Sequence, residues 1–178
     1  PVTGAQGKAA EVIRDAFVRA ARQAREAVGE EGRVIVVAHS MGTVVAWDCL
    51  AHVAACPRVD GMVTMGSPLA LDFVQRGLRA LNGDAYSQSY PDRLDGAWEN
   101  VIARFDLAGQ FDKDFDTEFG DCAPRPIGAH RIVNPSYQTS QGLVRRITSA
   151  HDLLGYLRAP LVVDNLARLA GVAAGPAP

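Results

Sequence analysis

Apolar positions recur every three to four residues from Ala5 to Val28, where Ala9, Ile13, Phe17, Ala20, Ala24 and Val28 form one stripe. Arg14, Arg22, Arg25 and Glu26 lie off it, and that period predicts an amphipathic helix. Gly29 and Gly32 break it before Arg33 to Ala38, a nearly unbroken apolar run. Such a run reads as a strand buried on both faces, as in a parallel sheet. Gly42 to Ala55 follows as a helix ended by Cys56-Pro57, and Val59 to Met65 is the next strand, closed by Gly66-Ser67-Pro68. Leu69 to Leu81 reads as helix and Asn82 to Gly96 as a polar, turn-rich loop. Asn100 to Phe105 is a third strand, Asp106 to Cys122 an acidic loop, and Ile127 to Val133 a fourth strand. Leu153 to Leu169 holds one or two closing helices with a break near Pro160. Helices alternating with buried strands imply right-handed crossovers, hence an α/β fold with a parallel sheet flanked by helices.

Composition narrows the function classes. The 178 residues make one domain with a single substantial core. Formal charge is -2, from 18 basic and 20 acidic residues with interspersed signs. That excludes a basic nucleic-acid surface and a polybasic membrane patch. Cys49, Cys56 and Cys122 are an odd set without metal-ligand spacing. Cys49 and Cys56, in or near one helix, read as buried small hydrophobes, and the set fits a reducing, cytoplasmic setting. No stretch is long and apolar enough to span a membrane, and no signal peptide opens the chain. The chain begins Pro1-Val2-Thr3 rather than with Met, so a preceding segment is left open. Gly171 to Pro178 contains only small residues and proline with one valine and reads as a fraying tail.

Chemistry concentrates at Ala38-His39-Ser40-Met41-Gly42, set between the first strand and the next helix. Strand, sharp turn and helix with serine at the apex form a nucleophile elbow, flanked by small residues two before and two after because bulky side chains there would collide where strand and helix cross. A serine that merely caps the helix is the plainer reading. As a nucleophile Ser40 needs a base, and that base needs an orienting acid. The amide of Met41, opening a helix whose dipole favours negative charge, would be one oxyanion donor. The expected order is Ser, then Asp or Glu, then His. His39 and His52 lie too close in sequence, and His130 falls within the fourth strand. His151, in a polar loop just before a helix and after every strand, is the base candidate. For the acid, Asp106 stands at the end of the third strand, Asp112 in the loop beyond it, and Asp72 is an outside candidate. Asp114, Asp116 and Glu118 read as a solvated acidic face. A calcium loop starting at Asp112 fails, because its sixth position is Thr117 and its twelfth Ala123. No cofactor or metal is called for.

These residues resemble the α/β-hydrolase superfamily, and bacterial lipases and esterases in particular. Ala38-His39-Ser40-Met41-Gly42 is similar to its elbow, and Gly66-Ser67-Pro68 to a turn after the following strand. Val101 to Asp112 resembles the strand and loop that carry the acid, and Ala150-His151-Asp152-Leu153-Leu154 the late histidine segment, with Tyr156 close by. The resemblance implies Ser40 as nucleophile, His151 as base and Asp112 as acid, with Asp106 next, and Ser67 as a turn residue. It implies a serine hydrolase acting on small or lipid-like carboxylic esters. Acyl transfer, peptidase activity, or an inactive hydrolase fold used for binding or assembly are the alternatives. Residues 69–98 would be a candidate cap. The family places further strands before the nucleophile, so an N-terminal part absent from these 178 residues is expected. Oligomeric state stays open.

Overall fold

The computed structural model describes residues 5–108, 115, 119 and 126–172. Asp112, Asp114, Asp116, Glu118, Cys122 and the tail beyond Val172 lie outside the described residues, and with them the calcium-loop positions.

Helix α1, Ala5–Val28, leads into strand β1, Ile35–His39, and helix α2, Met41–His52, follows after one residue. Strand β2, Gly61–Met65, precedes helix α3, Asp72–Asn82, a short 3-10 turn at Gly83–Ala85, and strand β3, Trp98–Ala103. Strand β4, Gly128–Ile132, is followed by α4, Pro135–Thr139; α5, Leu143–Ala150; α6, Leu153–Arg158; and α7, Pro160–Ala170. The four strands form one parallel sheet in the order β1-β2-β3-β4. The predicted strands and the long helices are present, with ends moved by a few residues. Helices α4 and α5 lie where the hydrophobic pattern predicts no element.

Two apolar layers cover the sheet. On one face Trp47 and Leu50 of α2 pack with Met62 and Trp98, and Val18 of α1 joins them. On the other, Val63, Met65 and Val101 meet Tyr156 of α6 and Val162 of α7. Residues 69–98 enter the first layer through Leu69, Val74, Leu78, Tyr90 and Leu94. β2 and β3 are buried throughout, as their sequences require. β1 forms one edge of the sheet, and Val37 on it is 45% exposed. No helix among the described residues is long and apolar enough to cross a membrane.

One buried charge pair ties α1 to α2. Arg14 donates to both oxygens of Asp48, at 2.7 and 2.8 Å, and Asn82 adds a third donor at 2.8 Å. Burial pushes the Asp48 carboxyl up, but the adjacent His52 ring, Arg14 and Asn82 together pull it down to about 2. A carboxyl depressed in the folded state contributes stability at pH above its unfolded value near 4, and that contribution is lost as pH falls through about 2. Acid titration followed by circular dichroism should therefore show about 2 kcal/mol of stability lost between about pH 4 and 2 through this site. Asp48→Asn should remove that part of the acid dependence.

Candidate active site

The sheet's hydrogen bonding continues one residue past three of its strands. Ser40 N–H donates to Met65 O at 3.0 Å, Gly66 N–H to Val101 O at 3.0 Å, and Arg104 N–H to Ile132 O at 2.7 Å. The first residues beyond β1, β2 and β3 are thereby levelled along the carboxyl edge, where loops of a parallel sheet meet ligands. At this edge Ser40 takes φ 54°, ψ -132°, a strained conformation for a residue with a side chain. Its hydroxyl makes no capping bond to α2. The capping reading therefore fails, and Ser40 Oγ instead lies 2.8 Å from His151 Nε2.

Behind the serine a chain of hydroxyls holds the turn. Leu69 N–H donates to Ser67 Oγ at 3.1 Å, Ser67 meets Thr43 Oγ1 at 2.8 Å, and Thr43 Oγ1–H donates to Ser40 O at 2.7 Å. Ser67 and Thr43 are fully buried, so Ser67 is a turn residue here. One steric expectation is corrected: a Cβ at Gly42 would meet nothing within 4 Å, so crowding does not dictate glycine there.

Strands in a sheet stand about 4.8 Å apart, so the ends of β1 and β3 are about 10 Å apart with β2 between them. An imidazole that bridges them must lie over the end of β2. His151 does so: its Nδ1 stands 2.9 and 2.8 Å from the two carboxylate oxygens of Asp106, just after β3. Beneath it is Gly66, with φ +53°, where a Cβ would come 2.6 Å from Asp106 Oδ2 and 3.0 Å from His151 Nδ1. Because the ionised carboxylate only accepts, Nδ1 carries the proton. Nε2 then presents its lone pair to the Ser40 hydroxyl, the orientation a general base requires.

The segment carrying His151 is the junction of α5 and α6 rather than a loop. Its main chain is pinned at three successive carbonyls. Asn134 Nδ2 donates to Ala150 O at 3.1 Å and to Asp152 O at 3.0 Å, and His39 Nε2–H donates to His151 O at 2.9 Å. Burial, followed by the neighbouring His151, pushes the His39 imidazole below its ordinary value. The rings of His39 and His151 are 4.6 Å apart. Sequence reasoning missed these roles of His39 and Asn134. For Asn134 the available signal was the Asn-Pro pair that starts α4, whose side chain accepts from Ser136 N–H.

The other candidates lie elsewhere. His130 pairs with buried Glu99 at 2.6 Å, and Arg168 completes that cluster on the face covered by α7. Asp72 is exposed at the start of α3 and faces Arg76. His52 stacks on Tyr86. Asp112 lies outside the described residues, and the carboxylate on His151 is that of Asp106, the second candidate. Among the described residues no group of three potential metal ligands comes together.

No curated protein and no solved structure matches the chain. A family model does, over residues 4–175: it is that of the alpha/beta hydrolase family. The parallel sheet, the turn of Ser40 and a match spanning nearly the whole sequence place this chain in the alpha/beta hydrolase family, with a hydrolase-type function.

Proposed function

We propose that the protein is a serine hydrolase acting on carboxylic esters, with Ser40 as nucleophile, His151 as general base and then acid, and Asp106 as the orienting carboxylate. The observation that carries this reading is the continuous line Ser40 Oγ, His151 Nε2, His151 Nδ1, Asp106, with neighbouring atoms at 2.8 to 2.9 Å. Ser40 attacks the ester carbonyl as its proton passes to His151 Nε2. The tetrahedral oxyanion is met by the Met41 amide, which opens α2 and has no partner within the helix. His151 returns the proton to the departing alcohol, and water then repeats the sequence on the acyl-enzyme with Ser40 as leaving group. Asp106 stays ionised, holding the imidazole in one tautomer and offsetting its charge when it becomes imidazolium.

A fluorophosphonate probe tests this directly, since it reacts with an activated serine and stops at the covalent adduct. Digestion and mass spectrometry should place one adduct on the peptide containing Ser40, and none after Ser40→Ala. An adduct that persists in that variant, or a wild-type chain that takes up no probe, would overturn the proposal. The second outcome would favour a hydrolase fold used for binding.

A further inference from the structure

The acid of this site is presented by a turn that its own sequence does not favour. Ala103 is the last residue of β3, and Asp106 N–H closes back on Ala103 O at 3.1 Å, which leaves Arg104 and Phe105 at the two central positions. Phe105 there has φ +70°, a value that turns of this kind normally assign to glycine. Strain of this sort persists only where surrounding contacts over-determine it. Part of that support is lateral: the Phe105 ring stacks on Tyr137 with centroids 4.9 Å apart. The Arg104 N–H on Ile132 O and the Arg104 guanidinium over the Phe105 ring add to it, and one buried phenol ties the two ends of the turn together. Tyr156 OH accepts from Ala103 N–H at 2.7 Å and donates to Asp106 Oδ2 at 2.6 Å. A single oxygen thus grips the first residue of the turn by its amide and the last by its carboxylate. Tyr156, Ala103 and Asp106 are all fully buried, so the phenol bonds both ends of the turn away from bulk water. Burial and then the adjacent Asp106 charge push the Tyr156 phenol well above its ordinary value, so it stays protonated and keeps its proton to donate.

We infer that Tyr156 is a positioning residue of this site, its phenol buckling the strained turn after β3 so that Asp106 faces His151 and not the chain that follows. The inference rests on reading Ser40, His151 and Asp106 as a triad. Asp106 Oδ1 also accepts from Ala108 N–H at 2.9 Å, a contact that by itself would draw the carboxylate along the chain. The phenol opposes that pull from the other oxygen. It also shares Oδ2 with His151 Nδ1–H, so its removal hands that oxygen wholly to the imidazole and favours the imidazolium. Among the described residues, the other titratable ring against His151 is that of His39, tilted at 4.6 Å, while the Asp152 carboxylate next in sequence is held by Ser136 and the Gly155 amide.

Tyr156→Phe keeps the ring and its packing and removes only the hydroxyl. The expected result is a loss of about 10- to 100-fold in kcat, the range for deleting one buried hydrogen bond to a charged group. KM should be little changed, and the acidic limb of the pH–rate profile should move to higher pH. In an Asp106→Asn background the same substitution should cost less than about 3-fold, because the two residues act through one contact. Wild-type kcat and an unmoved pH limb in Tyr156→Phe would overturn the inference, as would full additivity with Asp106→Asn. A second measurement does not depend on that variant's folding. With tyrosine labelled at Cζ, Asp106→Asn should shift one of the four tyrosine resonances; four unmoved signals would overturn the contact. A wild-type chain that neither hydrolyses esters nor takes up fluorophosphonate overturns the triad reading and this inference together. A reactive wild type matched by Tyr156→Phe overturns the inference alone.

Discussion

Asp106→Asn is expected to lower kcat for an activated ester by about 10⁴-fold, the scale on which a serine-histidine pair responds to losing its orienting carboxylate. The surroundings of Asp106 explain why an isostere fails. Three groups converge on its two oxygens, and all three are donors: Ala108 N–H, Tyr156 O–H and His151 Nδ1–H. An asparagine offers one oxygen and one NH2, so its NH2 must face one of those donors. The least costly answer is for His151 to release the Nδ1 proton and accept from the amide. That is the other neutral tautomer: the ring's one proton moves from Nδ1 to Nε2, pointed at Ser40 Oγ, and the ring cannot take the serine's proton. Folding should survive, since the side-chain volume is unchanged. Asp112→Asn, made in parallel, should alter kcat by no more than a few-fold. Equal losses in the two variants, or a larger loss at Asp112, would reassign the acid. Circular dichroism and the labelling stoichiometry separate a chemical defect from a folding defect.

Much of this arrangement is legible in the sequence because it follows from periodicity and order. The apolar run of β1, the small residues around Ser40 and the helix after it describe a turn that only a few architectures use. His151 is legible because it follows the last strand. The acid is harder, because Asp106 and Asp112 differ by a few residues in a loop, and sequence alone carries no distance to His151. What brings Asp106 to His151 is the reach of one turn, and that turn depends on a positive φ at Phe105, a residue whose type does not announce it. Helices α4 and α5 escape the hydrophobic pattern for a different reason. Pro135–Thr139 is too short for a period to show, and Leu143 and Val144 of α5 are 76% and 77% exposed, so apolar positions there do not mark a buried face. His39 and Asn134 were invisible because they act on carbonyls more than ten residues away, which no local pattern records.

Gly66→Ala should be a severely damaging single-methyl change at the site, while Gly42→Ala should be nearly silent, the reverse of what the elbow motif alone suggests. The spacing of the sheet requires the His151 ring to lie over the end of β2, and Gly66 is the residue at that end. A methyl there would sit 2.6 Å from Asp106 Oδ2 and 3.0 Å from His151 Nδ1, both well inside contact distance. Neither neighbour can yield. Asp106 is held by Tyr156 and Ala108, and the His151 backbone by His39 and Asn134. Alanine at φ +53° adds backbone strain of about 1–2 kcal/mol to the collision. The expected outcome is a loss of about 2–3 kcal/mol in unfolding free energy. A fall of at least about 10²-fold in kcat/KM should accompany it, since displacements near 1 Å cost that much. The rate of fluorophosphonate acylation should fall in parallel, because it depends on the same histidine. At position 42 the space around the missing Cβ is open, φ is not positive, and alanine is the better helix former. Gly42→Ala should therefore keep wild-type turnover and melt slightly higher. If Gly66→Ala labels as fast as wild type, the imidazole does not lie over β2, and the bridge from Ser40 to Asp106 is lost with it.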